Sequence, residues 1–288
     1  MSTPSLLSNI TSRLAAVSET PALDASVLLA HITNRSRTWV LAHPELSLLP
    51  EQQKQLDHSL LRLEQGEPLP YVLGSWEFFG LQFDLTPQVL IPRPETELLV
   101  ERALDWLKES PGRLNVADVG TGSGAIGVSL AVRLPDIHVL ATDLSREALQ
   151  VACGNALKFN VADRIQFVQC DLLPARGQGQ GHKKLDLICA NLPYIPTHTL
   201  RHLPIFGREP SLALDGGKDG LELVRRLLAL GPEWLVPGGV MLLELEAANA
   251  IQARDLACEL FTMSKIHLHH DLANHPRLLE IHLQDNAD

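Results

Sequence analysis

From about residue 113 the chain repeats an order of short apolar run, turn and amphipathic helical stretch, and few architectures accept that order. Residues 114–119 read as a buried strand, 125–134 as a helix, 137–142 as a strand and 145–159 as a helix. Runs at 165–169, 185–190 and 240–245 continue the strands, and 221–230 and 248–261 continue the helices. Parallel strands need long crossovers, which helices supply, so the alternation predicts an α/β fold with a mostly parallel sheet covered on both faces. Residues 265–271 and 278–283 read as closing antiparallel strands. Residues 235–239 (Leu-Val-Pro-Gly-Gly) read as a turn, and the glycine-rich stretch 174–184 as a polar surface loop without a function.

The N-terminal end has a different rhythm. Apolar residues recur at helical spacing, as in Leu23, Val27 and Ala30 and again in Leu56, Leu60 and Leu63, with almost no strand-like alternation. Thr20-Pro21 and the prolines at 44 and 50 punctuate the helices. Residues 1–70 are therefore expected to form a small all-helical domain. The aromatic stretch that follows, with Trp76, Phe78, Phe79, Gly80 and Phe83, reads as a β-hairpin linker over 71–92 that turns near Gly80. Its rings either fill a core or touch a substrate. Residues 93–288 complete the division, opening with a helix whose first turn holds Pro94, Glu95 and Glu97. Capping explains those acids but not Arg93, which stands between Pro92 and Pro94.

With 288 residues and 45% hydrophobic content, the chain can bury a substantial core. Its formal charge of −10 argues against broad, phosphate-driven nucleic-acid binding. No apolar run reaches the roughly 20 residues that span a bilayer, and residues 1–5 lack a basic region leading into an apolar core. A cytoplasmic monomer with no stable nucleic-acid partner is expected. Cys153, Cys170, Cys189 and Cys258 are too scattered for a disulfide framework or a zinc site. His267, His269 and His270 spread over both faces of a strand, so no metal site is expected.

Two stretches carry the chemistry. Gly120, Gly122 and Gly124, interleaved with Thr121 and Ser123, lie between a strand and a helix, where missing side chains let a ligand approach the backbone. The loop alone leaves alternatives open. Gly122-x-Gly124-x-x-Gly127 with Asp143 beyond it also matches a dinucleotide fingerprint, and a glycine turn can be purely structural. Asp118 favours S-adenosylmethionine, because a carboxylate repels a pyrophosphate but attracts the ammonium of a methionine moiety. Asp143 is placed to accept from both ribose hydroxyls, and Asp171 from an adenine amino group, with Leu172 packing on the ring.

The second stretch is Asn191-Leu192-Pro193-Tyr194, directly after the strand 185–190. An amide nitrogen is a weak nucleophile because its lone pair is delocalised into the carbonyl, so catalysis must orient it. The Asn191 side-chain oxygen and the Leu192 carbonyl can each accept one N–H, leaving the lone pair aimed at an activated methyl group. Pro193 stiffens the loop, and Tyr194 covers a planar substrate along the path of the cationic methyl. The proton leaving a methylated amide nitrogen is strongly acidic, so water suffices as its acceptor and no dedicated base is expected. An ordinary Asn-x-Pro turn is the plain alternative.

Residues 67–71 (Glu-Pro-Leu-Pro-Tyr), 91–97 (Ile-Pro-Arg-Pro-Glu-Thr-Glu), 118–124, 191–195, Glu209-Pro210 and 216–220 (Gly-Gly-Lys-Asp-Gly) span nearly the whole chain. Through them the sequence resembles the release-factor glutamine methyltransferase family (PrmC/HemK). The Asn-Pro-Pro-Tyr type of motif is shared with adenine amino-methyltransferases and defines only the class of acceptor nitrogen, whereas the 91–97 block is more specific. The resemblance implies a Rossmann-like, seven-stranded S-adenosylmethionine-dependent methyltransferase domain with an antiparallel seventh strand, preceded by a helical domain that helps engage the substrate. It implies methylation of the glutamine side-chain amide in the Gly-Gly-Gln motif of class 1 peptide chain release factors. A ribosomal protein glutamine, an adenine amino group in nucleic acid, and a cofactor-binding module without catalysis are the alternatives. Cofactor contacts are expected at Asp118, Gly120, Thr121, Gly122, Ser123, Gly124, Asp143, Asp171, Leu172 and Asn191. Glutamine contacts are expected at Asn191, Leu192, Pro193 and Tyr194, with Arg93 and Glu95. Leu192 stands where the family usually has proline, and Leu172 where some relatives have an aromatic residue.

Overall fold

The computed structural model describes residues 5–110, 112, 114–175 and 184–284, and the chain divides into two units between Ser75 and Trp76. The first unit contains α1 (Leu6–Leu14), α2 (Pro21–Thr33), α3 (Arg37–Ala42), α4 (Pro50–Glu64) and α5 (Leu69–Leu73). Their starts follow local chemistry. Ser5 and Ser36 accept from the amides of Ser8 (3.2 Å) and Trp39 (3.1 Å), while Pro21 and Pro50 occupy first turns that need no amide proton. Leu56, Leu60 and Leu63 are buried, as their spacing predicts. On α2 the buried stripe is Ala25, Leu28, Leu29 and Ile32, and Leu23 is exposed, because α2 packs against α1, α3, α4 and α5 together. Residues 69–73, the last of which were expected to begin the linker, form α5 and end at Gly74 in the left-handed conformation.

The expected hairpin is present as β1 (Ser75–Phe78) and β2 (Leu81–Asp84). It turns at Phe79 and Gly80, both at positive φ (52° and 75°), as a two-residue hairpin turn requires. Phe78 and Phe83 are buried, with Phe83 5.4 Å from the Phe159 ring. Glu97 accepts from the Phe79 amide at 2.9 Å, so this acid anchors the turn in addition to standing in the first turn of α6 (Thr96–Glu109).

The alternating region follows as β3 (Leu114–Val119), α7 (Ala125–Arg133), β4 (Ile137–Asp143), α8 (Arg146–Lys158), β5 (Ile165–Gln169) and β6 (Leu185–Asn191). Then come α9 (Thr197–Leu200), α10 (Glu222–Trp234), β7 (Leu235–Glu244), α11 (Ala247–Leu260), β8 (Lys265–His270) and β9 (Pro276–His282). The seven-stranded sheet has the order β5-β4-β3-β6-β7-β9-β8, with β9 antiparallel to both of its neighbours. Val116, Val119, Leu187, Ile188, Leu242 and Leu279 are essentially sealed from solvent at its centre. The order reverses between β3 and β6, and such a switch point opens a crevice at the carboxyl ends of the strands.

One expectation changes in detail. Residues 235–239 are the first part of β7, where the register shifts between Leu185 and Leu187 of the neighbouring strand, so the Pro-Gly-Gly run is taken up within the strand. Residues 176–183 of the expected polar loop lie outside the described residues. His267 and His269 share a face of β8 with Glu280 and His282 of β9. Glu280, nearly sealed, accepts from His269 (2.6 Å), His282 (2.5 Å) and Arg102 (3.0 Å). Among the described residues no cluster is arranged to hold a metal ion, and no helix is long and apolar enough to cross a membrane.

Candidate active site

The glycine loop leaves the end of β3 with Gly120, Gly122 and Gly124 at φ of 73°, 56° and 83°. The amides of Gly120 and Thr121 both donate to the Thr142 carbonyl (2.9 and 2.8 Å), which draws the loop across the end of β4. Asp118 braces it from behind. Its Oδ2 accepts from the Thr121 hydroxyl (2.6 Å) and the Gly127 amide (2.8 Å), while Oδ1 is buried without a partner. Burial lifts this carboxyl to about 6; its two hydrogen bonds oppose the rise and the Asp143 charge adds to it. A Cβ on Gly127 would lie 2.9 Å from Asp118 Oδ2. The last glycine of the apparent dinucleotide fingerprint thus makes room for a carboxylate.

Asp143, at the end of β4, accepts from the Gly122 amide (3.0 Å) and the Ser145 amide (2.9 Å) and titrates above its ordinary value because of burial. Asn155, fully buried on α8, donates to the Ser123 carbonyl (2.9 Å) and the Asp84 carbonyl (3.0 Å), so the hairpin and the glycine loop share one anchor.

Between this loop and the end of β6 lies a cavity of about 340 Å³, within the range of small-molecule sites. Gly120, Gly122, Asp143, Asp171, Leu172 and Asn191 line it, as do Leu192 and Pro193. Its described wall includes the carboxylates of Asp143, Glu147 and Asp171 but no lysine, arginine or histidine. Such a wall repels a pyrophosphate and suits a sulfonium cation with a ribose, so the residues present fit S-adenosylmethionine and not a dinucleotide. Asp171 pairs with Arg226 at 2.7 Å on its exposed side. Leu172 adopts φ +60°, and its carbonyl accepts from the Thr142 hydroxyl (2.6 Å).

The acceptor loop is built from side chains and prolines. Asn191 ends β6, and its Nδ2 donates to Thr96 Oγ1 at 3.0 Å. Neither its Oδ1 nor the Leu192 carbonyl accepts a hydrogen bond among the described residues. Leu192 is buried against Gly120, where a Cβ would lie 3.2 Å from its Cδ2. Packing thereby supplies stiffness that a proline would give to the backbone. Burial pushes the Tyr194 phenol up to about 12, and the charges of Glu244 and Glu246 add to it, so the ring stays neutral. The 215–220 loop clasps this segment. Gly216 donates to the Ile195 carbonyl at 2.8 Å, and a Cβ there would lie 2.7 Å from Tyr194 Cα. Arg93, unexplained by capping, binds Glu209 (2.6 Å), whose other oxygen accepts from the Ile91 amide (3.1 Å).

The structure thus brings Gly120, Gly122, Asp143, Asp171, Leu172, Asn191, Leu192 and Pro193 to one cavity. Asp118, Thr121, Ser123 and Gly124 stand behind its wall: a direct Asp118–ammonium contact is not available to a carboxylate with no exposed surface, and the residue supports the loop instead. Tyr194, Arg93 and Glu95 are outside the cavity lining; Arg93 is engaged by Glu209, and Glu95 is exposed at the start of α6. Sequence reasoning missed Leu144, 52% exposed on the cavity wall, whose only signal is its place directly after Asp143. It also missed Thr96 and Glu244. Thr96 lies inside the specific 91–97 block, and Glu244 is a single acid closing an apolar strand.

Known families and relatives match most of the chain. Residues 5–74 match the family model described as PrmC N-terminal domain, and residues 95–202 match that described as Methyltransferase small domain. The chain is 44% identical to release factor glutamine methyltransferase from Moorella thermoacetica, over 83% of each chain. It is 40% identical to the protein of the same name from Bordetella pertussis, over 90% of this chain and 93% of the relative. A methyltransferase structure from Pyrococcus furiosus covers 82% of this chain and all of its own (100%), at 18% identity and a TM-score of 0.50, a likeness of fold alone. By its identity to these relatives over most of their length, the chain belongs to the release factor glutamine methyltransferase family.

Proposed function

We propose that this protein transfers a methyl group from S-adenosylmethionine to the side-chain amide nitrogen of the glutamine in the Gly-Gly-Gln motif of class 1 peptide chain release factors. The observation that carries this reading is the pair of free acceptors at the end of β6, Asn191 Oδ1 and the Leu192 carbonyl, beside an acidic cavity without cations. When bound, S-adenosylmethionine supplies a methyl group on a positively charged sulfur. The chain's own residues do the rest. The two acceptors take one N–H each and turn the nitrogen lone pair toward the cavity. In this reading Asp143 accepts from ribose hydroxyls while Leu144 and Leu172 pack against a base, and all three line the cavity. The departing proton passes to water.

Mass analysis of a release factor before and after incubation with the protein and S-adenosylmethionine tests the reading. One added methyl on the Gly-Gly-Gln glutamine is expected, and none after Gln→Ala in that tripeptide. Methyl incorporation into a ribosomal protein or nucleic acid, with the release factor untouched, would overturn it.

A further inference from the structure

Leu172 lines the cavity with its backbone in the left-handed region, at φ +60°. For a leucine this conformation is unfavourable, because Cβ crowds the following carbonyl oxygen. Among the described residues the other non-glycine residues at positive φ are Asn34, Asn160 and Asn274, whose side chains tolerate it, and Phe79. The hairpin turn accounts for Phe79. Leu172 lies beyond the end of β5, with no hairpin to impose its conformation.

Its partner is on the neighbouring strand. Thr142, fully buried near the end of β4, donates its hydroxyl proton to the Leu172 carbonyl at 2.6 Å. A carbonyl can only accept, so the direction of this bond is settled by the groups that make it. The carbonyl of Thr142 itself accepts from the amides of Gly120 (2.9 Å) and Thr121 (2.8 Å). Asp143 repeats the pattern: its carboxylate accepts from the Gly122 amide at 3.0 Å, and its carbonyl from the Cys170 amide at 3.0 Å. The end of β4 therefore clips the glycine loop on one side to the 170–172 segment on the other. Two of these links are made by side chains. The Asp143 carboxylate lines the cavity, and the Thr142 hydroxyl stands behind its wall.

We propose that Thr142 is a positioning residue for the cofactor: its hydroxyl holds Leu172 in the left-handed conformation that presents the leucine side chain to the base, in fixed relation to the glycine loop. This rests on S-adenosylmethionine binding as read above. Without the hydroxyl, the Leu172 carbonyl keeps only the Cys170 thiol, a weak donor at 3.7 Å, and the backbone is free to relax toward negative φ. Packing opposes that relaxation, since Leu172 is buried in the core around β6 and β7. The rival account is that packing alone holds the residue. The two accounts differ for a glycine at position 172, which adopts positive φ without steric cost.

Calorimetric titration with S-adenosylmethionine of the wild type, Thr142→Val, Leu172→Gly and the double variant reads the coupling without turnover. Thr142→Val keeps the shape and drops the hydroxyl. It is expected to raise the cofactor Kd about tenfold, the scale for stranding one buried acceptor, and Thr142→Ser to restore it. Leu172→Gly raises Kd by itself, because the base loses an apolar contact. On that background the Thr142→Val increment is expected to shrink below about threefold. In methylation of a release factor, Thr142→Val is expected to raise KM for S-adenosylmethionine and to leave kcat within about twofold, since Asn191 and Leu192 are untouched. The Leu172 carbonyl ¹³C signal, read without cofactor, is expected to shift in Thr142→Val and to return in Thr142→Ser. An unchanged Kd in Thr142→Val, with or without a fall in Tm, overturns the proposal. So does an equal increment on both backgrounds, which assigns the Leu172 conformation to packing. A wild type that binds the cofactor but methylates no glutamine removes the substrate reading and leaves these titrations as the test; no cofactor binding by the wild type overturns both.

Discussion

The two loops that meet at the rim of the sheet are built in opposite ways. The 120–124 loop presents backbone, with glycines at positive φ and amides tied to Thr142 and Asp143. The 191–194 loop presents a side-chain amide and a free carbonyl, stiffened by Pro193 and by Leu192 packing. Each has a buried carboxylate with one partnerless oxygen beside it: Asp118 braces the first directly, and Glu244 is the register partner of Asn191 in the second. Burial raises both, to about 6 and about 7. Glu280 is as nearly sealed, and burial pushes it up too, but hydrogen bonds from His282 and Arg102 and the charges of Arg102 and His269 outweigh that and leave it below its ordinary value. Burial therefore sets the direction only where no cation answers it. Asp118 and Glu244 lack a directly bonded cation, and Glu280 on β9 has one.

Removing the side chain that only the acceptor loop depends on tests that contrast most severely. Asn191→Ala is expected to lower the single-turnover methylation rate about 10²–10³-fold, the scale seen when one preorganised hydrogen-bonding group is lost. A loss of less than about tenfold would mean that the Leu192 carbonyl suffices to orient the amide. Next in size is the clasp over the same loop. Gly216→Ala places a Cβ 2.7–2.8 Å from the Tyr194 backbone and the Pro193 carbonyl, and overpacking of that kind costs about 1–3 kcal/mol in urea denaturation. Unchanged stability would show that the 215–220 loop yields freely.

The smallest effect tests the brace of the glycine loop. Asp118 titrates at about 6 when folded against an ordinary value of 3.8, so the folded state holds this proton more tightly. Its contribution to stability is full below the unfolded value and declines as pH rises toward 6, by at most about 1.4 kcal/mol per pH unit. Asp118→Asn removes that decline. Denaturation at several pH values between the two is expected to give a flatter profile for the variant, and an identical slope would contradict the assignment.

Much of this was legible in the chain itself. The strand at 165–169 follows from its apolar run to the residue, the glycine loop lies between a strand and a helix, and Asn191 ends β6. These features rest on glycine, proline and apolar periodicity, which act over a few neighbours. The buried face of α2 was misplaced because several apolar stripes are possible on one helix and its neighbours choose among them. Local sequence does not explain Arg93, because its partner Glu209 is 116 positions away. Thr96 carries no local signal, because its partner Asn191 is 95 positions away.

The sequence alone therefore determined the class of fold, the place of the cofactor loop and the residues that address an amide nitrogen, since each is written in local backbone preference and short motifs. Only the tertiary structure decided that Asp118 faces inward, that Gly127 makes room for it, and which side of the Asn191 amide is held by Thr96. Those outcomes depend on solvent exclusion and on hydrogen-bond partners from distant strands and helices, and both exist only once the sheet has assembled.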